Sequence, residues 1–294
     1  MSDFSIFSSG LNAPEGPVVL PDGSLLVAEM GPDRGCVTRI SPDGSEKKMI
    51  ARTGRPNGLA LDASGTVWIA ESRTPSLLRM TMEGKVELFL SGCNGEPFLF
   101  PNDLAFAPDG SLYMTDSGIL IADFAPGGKV RADYKTLSID GRVYRIDTGT
   151  GRCERIDSGI LFPNGIAFGP DDFLYVNETL TGNVYRYRWE EKNVVGARER
   201  FGNVIDPNGP DVMKGPDGMK FGADSSLYVT VFGQSDVTVL GQDGYVVNRI
   251  KTRGKLPTNL AFGLPGTERI YITEDEFGAI EVYKVRTEGF RLYR

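Results

Sequence analysis

The sequence predicts an all-β chain, a six-bladed β-propeller of four-stranded antiparallel blades, on three observations. One short phrase recurs six times, opening at Pro14, Pro56, Pro101, Pro163, Pro216 and Pro257. Successive copies start 42, 45, 62, 53 and 41 residues apart, the period of an array in which each repeat is one supersecondary unit. Within the copies, apolar residues alternate or run continuously, whereas helical repeats would space them by three and four. Each unit also carries four candidate strands, the number that builds a propeller blade. Length alone, at roughly 100–200 residues per domain, would allow two domains. The array overrules that prior, and residues 1–294 are expected to form one propeller domain.

In each phrase a proline opens the first strand, a position that tolerates its missing N–H, and a short apolar run follows. A turn rich in Pro, Asp and Gly leads into a second strand, such as Leu112-Tyr113-Met114-Thr115. Third strands read as Val37-Thr38-Arg39-Ile40, Leu77-Leu78-Arg79-Met80, Val143-Tyr144-Arg145-Ile146, Val184-Tyr185-Arg186-Tyr187, Val237-Thr238-Val239-Leu240 and Ile280-Glu281-Val282-Tyr283. A fourth, such as Val86-Glu87-Leu88-Phe89, returns to the next proline. Pro21-Asp22-Gly23 and Pro42-Asp43-Gly44 are hairpin turns with a structural role only. Two units carry extra residues, at 117–140 and 190–214. Array insertions map to loops on one face, often the binding face, so both are candidate lids over the channel mouth. An open ring would leave unpaired strand edges. Phe4-Ser5-Ile6-Phe7 and Phe290-Arg291-Leu292-Tyr293 are the two segments available to complete the sixth blade.

The innermost strand of each blade borders the central channel, so equivalent positions in the six phrases form a ring at one mouth. The residues just after the prolines are Glu15, Asn57, Asn102, Asn164, Asp217 and Thr258. Every one has a side-chain oxygen, and two are carboxylates. Hard oxygen donors with two negative charges are what a divalent cation of the calcium or magnesium type requires. Any single Pro-Asn-Gly is better read as a turn. Four residue types across the six copies of one repeat position argue otherwise, since a purely structural position would hold the same residue in every copy. Asp103, beside Asn102, is expected to support the ring. Glu29, Glu71, Asp116, Glu178 and Glu274 end the second strand of five units and are expected to brace loops by accepting hydrogen bonds.

A net charge of −7 and a pI near 4.9 argue against a nucleic-acid partner, because phosphate binding needs a basic face. The chain has no histidine, which removes Ser-His-Asp and Cys-His catalysis and imidazole zinc sites. Cys36, Cys93 and Cys153 are odd in number and far apart, against a disulfide framework or a C-x-x-C site. Met1-Ser2-Asp3-Phe4-Ser5-Ile6 lacks the pattern of a signal peptide, and no apolar stretch approaches a membrane span. The expectation is a cytoplasmic protein with no membrane partner.

At the ring residues the sequence resembles the senescence marker protein/gluconolactonase/luciferin-regenerating enzyme family, over nearly all of the chain. These are six-bladed propellers that include sugar lactonases and, more distantly, diisopropyl fluorophosphatase. The motifs that carry the resemblance are Pro14-Glu15-Gly16, Phe100-Pro101-Asn102-Asp103, Phe162-Pro163-Asn164-Gly165 and Gly215-Pro216-Asp217-Gly218. The resemblance implies ligation of one divalent metal by Glu15, Asn164 and Asp217, with Asn102 completing the site or holding substrate, and Asp217 as general base. Asn57 and Thr258 match no family ligand. Sugar-lactone members with an arginine shortly before the third-unit Asn differ from this chain, which has Leu99 and Phe100 there.

The reaction expected is metal-dependent hydrolysis of a lactone, a small cyclic ester, by activated water without a covalent enzyme intermediate. Calcium leads the candidate metals, followed by magnesium, manganese, zinc and iron(II). A metal-dependent phosphotriesterase and a non-catalytic binding propeller are the alternatives, and fold by itself does not choose between them.

Overall fold

The computed structural model describes residues 4–209 and 211–291, and places six four-stranded antiparallel sheets in a ring. The first five blades are built from consecutive strands, beginning with Pro14–Val19, Leu25–Glu29, Cys36–Ile40 and Lys47–Arg52. Their inner strands are Pro14–Val19, Pro56–Leu61, Pro101–Phe106, Pro163–Phe168 and Gly215–Phe221, so the six-bladed expectation holds. The sixth blade answers the question of closure. Its strands Pro257–Phe262, Arg269–Glu274 and Ala279–Lys284 are completed on the outer edge by Phe4–Ser9, with Phe4 opposite Tyr283 and Ser9 opposite Ala279. Residues 290–293 do not supply that strand as far as they are described. Phe290 N donates to Phe221 O at 2.8 Å and Gly289 bridges Gly222, which ties this end to the fifth blade. Residues 292 and 293 lie outside the described residues.

Apolar side chains pack between neighbouring blades, giving one core per blade interface. Trp68 and Ala70 meet Leu112 and Met114 between the second and third blades. Leu25 and Val27 meet Tyr271 and Ile280 where the sixth meets the first. The residue of each strand that faces one side therefore serves one interface and its neighbour serves the other, which is why the second strands read as continuous apolar runs. The inner strands touch one another in ring order, and the first packs on the last.

The two insertions have different fates. Residues 117–140 form a compact cap with a short helix, Ile121–Phe124, and packing of Ile119, Phe124 and Ile139 on Phe100 and Phe162. Those two phenylalanines immediately precede Pro101 and Pro163, so the cap sits at the mouth that carries the ring. Most of 190–214 is not a lid. Its first part lengthens the outer hairpin of the fourth blade, Asn183–Glu190 and Asn193–Asn203, because the apolar alternation simply continues past the usual strand end. Only the remainder approaches the mouth, where Met213 packs against the cap. The cysteines are free and buried. Among the described residues, no helix is long and apolar enough to cross a membrane.

Candidate functional site

All six inner strands break register with the second strand at the residues after the proline, as between Pro101 and Leu104, Pro163 and Ile166, and Pro216 and Met219. The same shift occurs in the second and sixth blades, and in the first it falls one residue later, between Glu15 and Val18. A bulge takes a residue out of the ladder and re-aims its side chain. Here the ring residue lies outside the ladder in five blades, and in the first, where Glu15 still pairs with Ala28, the bulge follows directly after it. The following position is glycine in four blades for a steric reason. A Cβ at Gly165 would lie 2.3 Å from Asp217 O, and one at Gly218 would lie 2.0 Å from the Asn259 side chain.

The acidic strand ends hold the segment before five of the six prolines, as expected from sequence. Asp116 accepts from the backbone N–H groups of Leu99 (2.8 Å), Phe100 (2.9 Å) and Gly118 (2.9 Å). Glu29 accepts from Asn12 N, Glu71 from Arg55 N, Glu178 from Leu161 N and Glu274 from Leu256 N. Asp116→Ala would leave three buried donors unpaired. We expect a loss of roughly 3 kcal/mol at about 1 kcal/mol or more per orphaned group, read as a fall in Tm of roughly 5–10 °C.

The ring divides by role. Glu15, Asn57, Asn102, Asn164 and Thr258 are buried, while Asp217 keeps part of its surface exposed at the mouth. Asn102 Nδ2 donates to Ser117 Oγ at 2.9 Å, and Ser117 Oγ donates onward to Pro163 O at 3.0 Å. The next blade repeats the device: Asn164 Nδ2 faces Thr179 Oγ1 at 3.4 Å, and Thr179 Oγ1 donates to Pro216 O at 2.8 Å. The Asn102 amide N–H₂ is thus tied to the scaffold, that of Asn164 serves both Thr179 and the Asp217 carboxylate, and Asn164 Oδ1 is buried with no hydrogen-bond partner. Thr258 departs from the ring. Its hydroxyl donates to Pro14 O at 2.7 Å and meets Thr273 Oγ1 at 2.7 Å, so it is a strut holding the first blade's inner strand.

Electrostatics separates the site from the rest of the molecule. Burial first, and then the charge of Asp103, push the Glu15 carboxyl up to about 8. Asp217 is also raised well above the ordinary carboxylate range, by burial and by the charge of Glu15, with the Asn164 side chain opposing. Asn259 Nδ2 bridges Glu15 Oε2 at 3.0 Å and Asp103 Oδ2 at 3.5 Å, and Lys220 Nζ lies 4.0 Å from Asp103 Oδ2. Gly16 N also donates to Glu15 Oε2. Among the described residues, no group of three or more His, Cys, Asp or Glu side chains forms a metal cluster. The donor set is instead mixed, two carboxylates with amide oxygens. The orphaned Asn164 Oδ1 and the mutual repulsion of Glu15 and Asp217 fit a hard divalent cation.

Three further residues were not singled out by the repeat. Arg55 Nη1 donates to Ser72 Oγ at 2.8 Å, and the guanidinium lies 5.3 Å from the Phe100 ring centroid. Burial lowers its pKa, against the charges of Glu71, Glu15, Asp275 and Asp217, which places it beside the site. Asp275 is raised by burial and by Glu274. Asn259 had a readable signal, for it stands where four copies of the phrase have glycine; Arg55, one residue before its proline, had none.

Fold and mouth together define a six-bladed propeller whose inner strands bring two carboxylates and several amide side chains together at one end. The chain belongs to the SMP-30/gluconolactonase/LRE-like family, whose sequence model matches residues 13–275. It is 25% identical to a gluconolactonase of Zymomonas mobilis, over 97% of this chain and 81% of that one. It is 28% identical to the diisopropyl-fluorophosphatase of Loligo vulgaris, over 99% and 94%. Among solved structures, the calcium-binding regucalcin of Agrobacterium tumefaciens superposes with a TM-score of 0.76 at 19% identity, over 97% of both chains, a likeness of fold.

Proposed function

We propose that this protein is a divalent-metal-dependent lactonase that opens a small cyclic ester. The observation that carries the reading is the meeting of Glu15 and Asp217 with the unpartnered Asn164 Oδ1 at one end of the channel. Glu15, Asn164, Asp217 and Asn102 would hold the cation, and the lactonase names among relatives support the reaction class. Calcium is the first candidate, on the all-oxygen donors and the calcium-binding Agrobacterium protein; magnesium, manganese, zinc and iron(II) are the others to be titrated. A bound cation supplies Lewis-acid polarisation of the ester carbonyl.

The chain's own groups do the rest. Asp217, the ring carboxylate that reaches the mouth, takes the proton of the attacking water and returns it to the ring oxygen as the C–O bond breaks. Asn102 is held by Ser117 through its Nδ2, which leaves its amide oxygen as the donor atom for cation or substrate. Arg55, stacked on Phe100, offers its remaining N–H groups to substrate oxygens. Arg55→Met is expected to raise KM about tenfold or more with a smaller change in kcat, the weight of a lost hydrogen bond to a charged donor. Steady-state kinetics on the preferred lactone checks it.

Phosphotriester hydrolysis is the second reading, favoured by the Loligo vulgaris relative. A panel of lactones and phosphotriesters, each with and without a chelator, separates the two. Lactone turnover that chelator abolishes and added calcium restores is the expected result. Turnover of phosphotriesters alone, or lactone turnover indifferent to chelator, would reject it.

A further inference from the structure

The opposite end of the channel carries a concavity, and its throat carries a charge in a single copy of the repeat. It is a bowl of about 420 Å³, within the range of small-molecule sites, formed by all six inner strands and rimmed by Leu264 and Phe290. The fifth residues of the phrases line its throat: Val18, Ala60, Ala105, Ala167, Lys220 and Ala261. The sixth residues, from Val19 and Leu61 to Phe221 and Phe262, are all apolar and form its wall. Three residues at about 3.3 Å each separate the throat from the ring, so the bowl lies about 10 Å further along the channel.

Small side chains keep that throat open, and one ammonium projects among them. Lys220 is 35% exposed at its side chain, and its Nζ stands 4.0 Å from Asp103 Oδ2, beyond hydrogen-bonding distance. An ammonium has three N–H donors. Glu288 and Arg291 stand at the rim, where Glu288 Oε1 accepts from Gly266 N at 2.7 Å, and Lys220 is the one charged group in the apolar throat. An apolar throat with one cation at its centre is complementary to one kind of small molecule. We propose that the bowl is a binding site, separate from the proposed catalytic mouth, for an organic anion with an apolar body, its carboxylate on Lys220 and its hydrocarbon among Phe106, Phe168, Phe221 and Phe262.

Octanoate and its uncharged counterpart octanol are the probes, titrated calorimetrically into the full-length protein with calcium present. Octanoate is expected to bind at least ~10-fold more tightly than octanol, the weight of one charge-assisted hydrogen bond. Lys220→Met should abolish that preference while octanol binding stays, and Lys220→Arg should keep it. Ala105→Phe, which fills the throat, should block both probes; thermal melts confirm that each variant is folded. Equal binding of the two probes to the wild type, an unchanged preference in Lys220→Met, or undiminished binding to Ala105→Phe overturns the proposal. So does binding that appears only after removal of residues 292–294, because the bowl would then belong to the chain's own end.

Discussion

Asp217→Asn is expected to lower kcat/KM for lactone hydrolysis by about 10²–10⁴-fold, the usual weight of a positioned general base. The substitution keeps the size of the side chain and one oxygen donor, and it removes the proton acceptor. Asp217 suits that role because it alone among the ring residues keeps exposed surface, while Glu15 is buried. The variant also loses a negative charge, so kinetics are measured at saturating calcium, with cation binding followed separately by calorimetry. A variant that binds calcium and retains full activity would show that another group moves the proton.

Glu15→Gln should weaken calcium binding by at least ~100-fold, beyond the 10–100-fold typical of residues that merely support a ligand. It should also change the proton traffic. In the cation-free protein the Glu15 proton is held up to about 8, from an ordinary value of 4.5, so calcium binding at neutral pH must displace it. Calorimetry in buffers of different ionisation enthalpy should show proton release in the wild type and about one proton fewer in the variant. The sign of the linked stability follows. A carboxyl with a raised folded pKa stabilises the cation-free fold fully below 4.5, and that contribution is lost as pH rises through about 8. The cation-free Tm should therefore fall across this window, less steeply in Glu15→Gln. A Tm that rises over the same range, or equal slopes in the two proteins, would refute the assignment.

Blades and ring were legible because both are written in repetition. Each phrase specifies a proline-led strand, a turn and an apolar partner, and comparing six copies exposes the position that varies. What escaped the sequence depended on packing between distant segments. Both chain ends carry apolar strand-like residues, and only the pairing of Phe4–Ser9 with Ala279–Lys284 distinguishes them. The stretch after Glu190 reads as an insertion, yet its alternation is spent on a longer outer hairpin. Thr258 occupies a ring position, but a hydroxyl on a short side chain reaches Pro14 O first. Arg55 belongs to the mouth only because Phe100, from the neighbouring blade, gives its guanidinium a surface to lie on.

The shared sixth blade has a consequence for the order of assembly. Two hydrogen bonds that fix Glu15 and its strand, from Thr258 to Pro14 O and from Asn259 to Glu15, join residues 244 positions apart. Contacts of such separation form late, after the entropy of closing a long loop has been met. During refolding, calcium competence should therefore emerge after most β-structure, in step with the docking of Phe4–Ser9. Cation uptake would thus serve as a clock for the final fastening of the molecule.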